Sequence, residues 1–499
     1  MNPGIAIAES TRRPIFAQID GAVVFIFLLA FTIATRALFF GSPVAEFDEQ
    51  LYSLIGWRMT QGELPYVDLW DRKPFGLFAL FALAHTIFGL GPIAFQIVGS
   101  MFSFAGALLV YALAKPLVDR VTAVIGGALY LLLLAVYGSG SGQSEVFYIP
   151  MALAMLWLVR DWHRPDATRR AALAMLIGGL ALQIKYTVLP QCLFFGGYAL
   201  LGEWRREANP ARLLVRVTQF AFLGLLPTTL VGIFYFWQGH FEEFWFANFA
   251  SFFERLSPPN GRFRYELLTG YAPIALLVIP GIYTALRLNP PRDGRTYALY
   301  VGWMIATLAT VLLPATVYLY YYAAVVPAAV LVSLPAIDVR GPMRFVPAAL
   351  LLGGAIHLYD VPGRFARSLN DTRAEARLAQ AIAPHVGTER DCLYVFDGPT
   401  SLYRSTETCL PTRFIYPDHL NNALEEHALG IDQSTELLRI LSTRPGVIVT
   451  ASTAVTPQRP SSLALIEATT RRNYRPLAKE TLHDREIVAW VRRDSHRNR

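Results

Sequence analysis

The chain has 499 residues, of which 54% are hydrophobic and 16% charged, with a mean hydropathy of +0.37. Soluble domains carry about 25% charged residues, so this balance excludes an ordinary soluble protein. The formal net charge of +7 does not signal nucleic acid, because the arginines sit in short loops between apolar stretches and form no basic face with interleaved aromatics.

From Asp20 to Tyr359 the sequence consists of apolar stretches of roughly 15 to 25 residues separated by short polar punctuation. A hydrocarbon core about 30 Å thick needs about 20 apolar residues per helix, and backbone groups in lipid must be paired within the segment. A polytopic α-helical membrane protein with about 11–13 transmembrane helices is expected. Met1 to Gln18 is polar and carries Arg12 and Arg13, and the first apolar run, Ala22 to Phe40, is long enough to stay as a helix. No cleavable signal peptide is expected.

Loop charge sets the expected orientation, with basic loops cytoplasmic. These are Arg12/Arg13, Arg160/Arg164/Arg169/Arg170, Arg205/Arg206/Arg212/Arg216, Arg287/Arg292/Arg295 and Arg340/Arg344. The loop 41–74 then faces the periplasm, as does Gly239 to Tyr265. The last apolar run, Phe345 to Tyr359, delivers residues 360–499 to the same side of a bacterial inner membrane. Between Lys73 and Glu145 lie three runs, Phe75–Leu90, Ile93–Ala114 and Val121–Tyr137, yet both ends belong to the periplasm. Either one run is a partial or re-entrant helix, or Lys115 and Arg120 mislead. Gly138-Ser139-Gly140-Ser141-Gly142 reads as a flexible loop.

The C-terminal region, 360–499, has ordinary globular patterning. Cys392–Phe396, Gly446–Thr450 and Glu486–Trp490 read as strands, while Arg373–Ile382 and Leu437–Leu441 read as helical. A C-terminal periplasmic α/β domain of about 130 residues is long enough to bury its own core. Cys392 and Cys409 both fall in it, and spacing alone does not establish whether they pair. Cys192 lies in an apolar run and reads as a small core residue.

The first loop is the most informative segment. Asp48 and Glu49 follow closely on a membrane helix, so they sit at the membrane surface, where a carboxylate can take a proton from an acceptor hydroxyl. Tyr52, Trp57, Arg58, Tyr66, Asp71, Arg72 and Lys73 follow, and the two adjacent cations suit a phosphate. The bland alternative is a set of solvated loop charges with an aromatic belt. Glu145 opens a helix at the same face, where a carboxylate also suits the helix dipole. Lys185 falls in an apolar region, where a paired functional lysine competes with a snorkelling one. Tyr320 and Tyr321, in the run Tyr318 to Tyr322, either line a sugar or phosphate site or form a belt. The loop His240 to Arg264 reads as an interfacial helix without assignable roles. The histidines show no zinc-ligand spacing, so no confident metal site exists. Asp48 with a partner leaves Mg²⁺ or Mn²⁺ binding open.

The acidic pair, Tyr52, Trp57-Arg58, Gly62-x-x-Pro65-Tyr66 and Asp71-Arg72-Lys73-Pro74 together resemble the GT-C fold glycosyltransferases. Among them the chain is most similar to bacterial relatives of the protein O-mannosyltransferases and to the lipid A aminoarabinose transferases. The resemblance implies residues 1–359 as a transmembrane catalytic domain and a polyprenyl-phosphate-linked sugar donor lying among membrane lipid. It implies a periplasmic acceptor glycan, lipid or protein, as in the cell envelope and its lipopolysaccharide, and inversion at the anomeric carbon. Asp48 matches the family's first-loop carboxylate, Glu49 its acidic neighbour, Tyr52 a tyrosine of the same turn, and Lys73 the lysine of a Lys-Pro-Pro motif. Glu145 is similar in position to a second cavity carboxylate. Here Phe75 replaces the second proline, and Leu51 stands where the aminoarabinose enzymes carry arginine. A secondary transporter, a lipid-linked saccharide ligase and a non-catalytic scaffold are the competing readings. A transporter would call for an internal repeat and midplane ligands, which the sequence lacks.

Overall fold

The computed structural model describes residues 21–256, 260–314, 317–358, 360 and 363–494, with side chains from 270 onward in the second of these segments. Arg12, Arg13, Arg262 and Arg264 therefore lie outside what is described at side-chain level. The membrane part contains α1 (Gly21–Arg36), α2 (Phe47–Met59), α3 (Phe75–Phe88), α4 (Pro92–Ala114), α5 (Arg120–Val136), α6 (Ser144–Val159) and α7 (Ala167–Leu182). It continues with α8 (Leu189–Arg206), α9 (Pro210–Trp237), α10 (Phe241–Trp245), α11 (Ser251–Phe253), α12 (Asn260–Arg287), α13 (Gly294–Leu312), α14 (Val326–Ile337) and α15 (Val346–Leu358). The protein is a multi-pass membrane protein.

The helix ends follow from local chemistry. Asp119, Asn209 and Asp293 accept hydrogen bonds from the first free N–H groups of α5, α9 and α13, all at the arginine-rich face. Proline occupies the first turn of α4, α8, α9 and α14, where its missing N–H costs nothing. α14 and the 3₁₀ turns before it are apolar on every side, because 94% of their apolar window is enclosed by other helices.

α3 is one of the short apolar runs, 14 residues long. It folds back on α2 as a hairpin: a Cβ on Gly56 would meet Phe81, and Ser53 Oγ lies 3.1 Å from His85 Nε2. Both ends of α3 meet the C-terminal domain. Just before it, the Trp70 N–H donates to the Arg413 carbonyl at 2.9 Å. Just after it, a Cβ on Gly91 would lie 3.8 Å from Arg404 Nη1. Among the described residues Pro92–Ala114, Pro210–Trp237, Gly270–Arg287 and Leu319–Ile337 are long and apolar enough to cross a membrane, and shorter apolar helices accompany them.

The glycine-serine segment 138–142 is not a flexible loop. Ser139 to Gly142 are buried. The Glu46 carboxylate accepts from Gly140 and Ser141 N–H groups at 3.0 and 3.2 Å, and Glu49 accepts from Gly142 N–H. Arg36 donates to the Ser141 carbonyl and to Ser103 Oγ. Buried backbone must be paired, and here distant side chains do it.

The C-terminal part contains α16 (Gly363–Ile382), β1 (Leu393–Val395), α17 (Leu402–Ser405), α18 (Pro417–Asn421), α19 (Gln433–Ser442), β2 (Val447–Ala451), α20 (Pro460–Asn473), β3 (Tyr474–Leu482) and β4 (Arg485–Arg492). The sheet order is β1-β2-β4-β3, with β1 and β2 parallel and the other pairs antiparallel. Three strands fall where the sequence places them. β3 does not announce itself, because Pro476 and charged residues interrupt it, and a bulge at Pro476/Ala478 accommodates the proline at the sheet edge. Cys392 and Cys409 are disulfide-bonded across a separation of 17 residues. Closing a loop of that size stabilises by about 3 kcal/mol. Cys409→Ser should therefore lower the melting midpoint of the C-terminal domain, and reductant should reproduce the shift in the parent protein. Equal melting of parent and variant would contradict this.

Candidate active site

Asp48 stands in the first turn of α2, and Tyr52 follows at i+4 on the same face of the helix. The Tyr52 hydroxyl donates to Asp48 Oδ2 at 3.1 Å. The same oxygen receives the Tyr320 hydroxyl at 3.0 Å and faces Lys73 Nζ at 3.7 Å. Oδ1 receives the Tyr416 hydroxyl, from the C-terminal domain, at 3.1 Å. Burial pushes the Asp48 carboxyl up, but Lys73, the Tyr320 hydroxyl, Lys185 and the Tyr52 hydroxyl together hold it below the ordinary carboxylate range. For Lys73, burial favours the neutral form, yet Asp48 and Asp71 outweigh burial and raise its pKa. The pair is charged and retains partial access, with side-chain exposure of 19% for Lys73 and 16% for Asp48.

The turn that delivers Lys73 is built around Tyr66, whose φ of 71° places a bulky residue in the left-handed region. The Tyr66 N–H donates to the Leu69 carbonyl at 2.6 Å, and its hydroxyl donates to the Lys73 carbonyl at 2.9 Å. Asn248 bridges the Tyr66 and Tyr186 hydroxyls at 3.3 and 3.0 Å. Tyr66 is fully buried. Expected among the site residues, Tyr66 instead supports the Lys73 backbone from within the core.

Two further charged clusters flank Asp48. Lys185 and Glu145 form a buried ion pair, with Ser144 Oγ donating to Glu145 Oε2 at 2.9 Å. Lys185 Nζ also sits 4.0 Å from the Tyr321 ring centroid and 5.4 Å from that of Tyr320. The lysine does not snorkel; it turns inward beneath Tyr321 and Tyr320, the latter bonded to Asp48. On the other flank, Glu425 of the C-terminal domain is gripped by Arg72 through both oxygens, and Arg255 Nε lies 2.9 Å from its Oε1. Arg255 also donates to the Tyr318 hydroxyl at 3.3 Å. Burial would raise the Glu425 carboxyl, but Arg72 and Arg255 hold it down at about 2.

Several expected site residues are placed elsewhere. Glu49 points away from Asp48, since adjacent helical residues diverge, and it anchors Gly142 instead. Burial pushes its carboxyl up to about 7 against hydrogen bonds from Ser141 and Gly142, which suits a structural group. Arg58 lies at the far end of α2, paired with Glu63 at 3.2 Å and Gln61 at 3.1 Å. Asp71 is buried and accepts the Arg72 N–H at 2.5 Å, shaping the turn, and its charge acts on Lys73 from beside the Asp48 pair. Arg72 reaches the site but its guanidinium is committed to Glu425. Sequence reading missed Tyr416 and Glu425, which come from 368 and 353 residues away from their partners. No local pattern announces such pairings.

Among the described residues no group of three or more His, Cys, Asp and Glu side chains is placed to hold a metal ion. Asp48 is surrounded by hydroxyl donors and a lysine, a shell that does not fit a divalent cation.

A bundle of this connectivity, with a surface hairpin after the first span and a small sheet domain closing over it, has the GT-C fold. Two crystal structures of ArnT from Cupriavidus metallidurans share it. The undecaprenyl phosphate-bound form aligns with a TM-score of 0.62 and 18% identity, and the apo form with 0.60 and 15%. Each alignment covers 94% of this chain and 97% of that one. The archaeal oligosaccharyltransferase AglB from Archaeoglobus fulgidus, in complex with an inhibitory peptide and a dolichol-phosphate, aligns at a TM-score of 0.48 with 11% identity, over 86% of this chain and 69% of that one. Residues 72–230 match the family profile described as dolichyl-phosphate-mannose-protein mannosyltransferase. Comparison with curated protein sequences finds no match.

Proposed function

We propose that the protein is an integral membrane glycosyltransferase that moves a sugar from a polyprenyl-phosphate donor to an acceptor hydroxyl. The observation that carries this reading is the Asp48–Lys73 pair, set at one face of the bundle and ringed by the hydroxyls of Tyr52, Tyr320 and Tyr416. Support comes from the fold shared with an undecaprenyl phosphate-binding protein and from the profile match that begins at Arg72.

In this reading the acceptor oxygen attacks the anomeric carbon from the face opposite the phosphate, and its proton passes to Asp48. Among the described residues Oδ1 receives only the Tyr416 hydroxyl, which leaves it a lone pair for that proton. The bond from the anomeric carbon to the phosphate oxygen breaks, and the leaving polyprenyl phosphate takes the electron pair with its charge beside Lys73. The sugar is transferred with inversion. Tyr320 and Tyr321 bound the sugar, and Lys185 and Glu145 hold those tyrosines in place. The acceptor is a periplasmic glycan, lipid or protein, with the site face on the periplasmic side of an inner membrane. The catalytic unit is not confined to residues 1–359, since the domain 360–499 contributes Tyr416.

Because Asp48 is held below the ordinary carboxylate value of about 3.9, its base form persists through neutral and mildly acidic pH. The acid limb of kcat/KM should therefore fall below that value. A limb near pH 6 would assign the base to another group.

The test of the activity uses purified protein in detergent with a panel of radiolabelled undecaprenyl-phosphate sugars and a membrane lipid extract. Release of undecaprenyl phosphate together with label in the acceptor fraction is expected. Neither turnover nor donor binding with any member of the panel would favour a transporter.

A further inference from the structure

We propose that Glu425 is a built-in stand-in for the donor's anionic group, holding Arg72 and Arg255 in a closed resting state that an arriving phosphate must displace. The inference rests on the donor reading above and adds to it a gate supplied by the C-terminal domain.

Arg72 comes from the turn that delivers Lys73, and Arg255 from the segment after α11, so two separate parts of the membrane domain converge on one carboxylate. The grip is two-pronged, as an arginine takes a phosphate or carboxylate in a binding site. Both arginine side chains are largely buried, at 17% and 14% exposure, and Glu425 at 4%. Arg72 adjoins Lys73 in the chain, and Arg72 Nε is buried without a hydrogen-bond partner. One donor is thus left over for a ligand with more acceptor oxygens than a carboxylate has.

The carboxylate that fills this position is tethered to the C-terminal domain, where Asn421 Nδ2 donates to the Phe396 carbonyl and the Ala423 N–H to the Pro457 carbonyl, both at 2.8 Å, so a displacement of Glu425 would carry its domain with it. Glu425 closes the 3₁₀ turn Ala423–Glu425, and the Leu256 N–H donates to the Leu424 carbonyl at 3.0 Å, stitching that turn to the Arg255 segment. The same stretch begins with Tyr416, whose hydroxyl covers Asp48 Oδ1. Residues 416–425 therefore occupy both the proposed base and two cations beside it. Displacing Glu425 would expose the arginines and loosen the cover over Asp48 in one movement. A purely structural clamp makes the opposite prediction, because the arginines would then need Glu425 to stay in position for the donor.

The discriminating experiment measures the affinity of undecaprenyl phosphate for the full-length protein and for Glu425→Gln, both in detergent, with melting midpoints recorded alongside. Removing the competing charge while keeping one hydrogen bond should tighten binding by roughly tenfold. In the parent protein, saturating undecaprenyl phosphate should also speed amide hydrogen exchange at Leu256 and across 416–425, a readout that needs no variant. Binding that is unchanged or weaker in Glu425→Gln, with no faster exchange on ligand addition, would overturn the gate while leaving the donor reading standing. Absence of binding to both proteins would overturn the donor reading and the gate with it.

Discussion

Asp48→Asn should lower the rate of sugar transfer by about 10²- to 10⁴-fold, the contribution of a positioned general base. The substitution preserves shape and leaves one carbonyl oxygen to accept from Tyr52 and Tyr320, while Nδ2 can donate to the Tyr416 hydroxyl oxygen, so the fold should persist. What it removes is the charge that Lys73 faces and the group that takes the acceptor proton. Donor affinity should change far less than kcat, and free undecaprenyl phosphate release measured under saturating donor separates the two. A variant that turns over at the parent rate would remove Asp48 from the chemistry.

Breaking the Lys185–Glu145 pair should produce the largest stability effect. Removing one member of a buried ion pair costs about 3–5 kcal/mol, because the other is left charged without a partner. Lys185→Met strands Glu145 among Ser144 and apolar neighbours, and it also withdraws the cation from beneath Tyr321. The double change Lys185→Met with Glu145→Leu removes both charges and should recover most of the stability, though not the activity. Thermal unfolding in detergent of the two single variants and the double variant decides this. Equal losses in all three would mean that the pair is not the source of the effect.

The membrane class and most spans were legible because lipid imposes a simple rule on the chain: long apolar runs with paired backbone. Asp48 and Lys73 were legible because adjacent charged residues just beyond an apolar run stand out against it. The failures share one cause. Glu49 beside Asp48 looks equivalent in one dimension, but the helix turns it toward Gly142. The glycine-serine run reads as mobile because its partners, Arg36, Glu46 and Glu49, come from the end of α1 and the start of α2 rather than from its own neighbourhood. α3 reads as a span by composition, and its pairing with α2 and its approach to the C-terminal domain are not written in its own pattern. Tyr416 and Glu425 lie in a region whose pattern describes an independent domain, although both side chains complete the site of the membrane part.

The most direct test of the account is a cryo-EM structure of the full-length protein with saturating undecaprenyl phosphate. The account predicts phosphate density within hydrogen-bonding distance of Lys73 Nζ, adjacent to Asp48, with the polyprenyl chain running from it between the membrane helices. Phosphate density elsewhere, with the Asp48–Lys73 pair undisturbed and still covered by Tyr416, would contradict it.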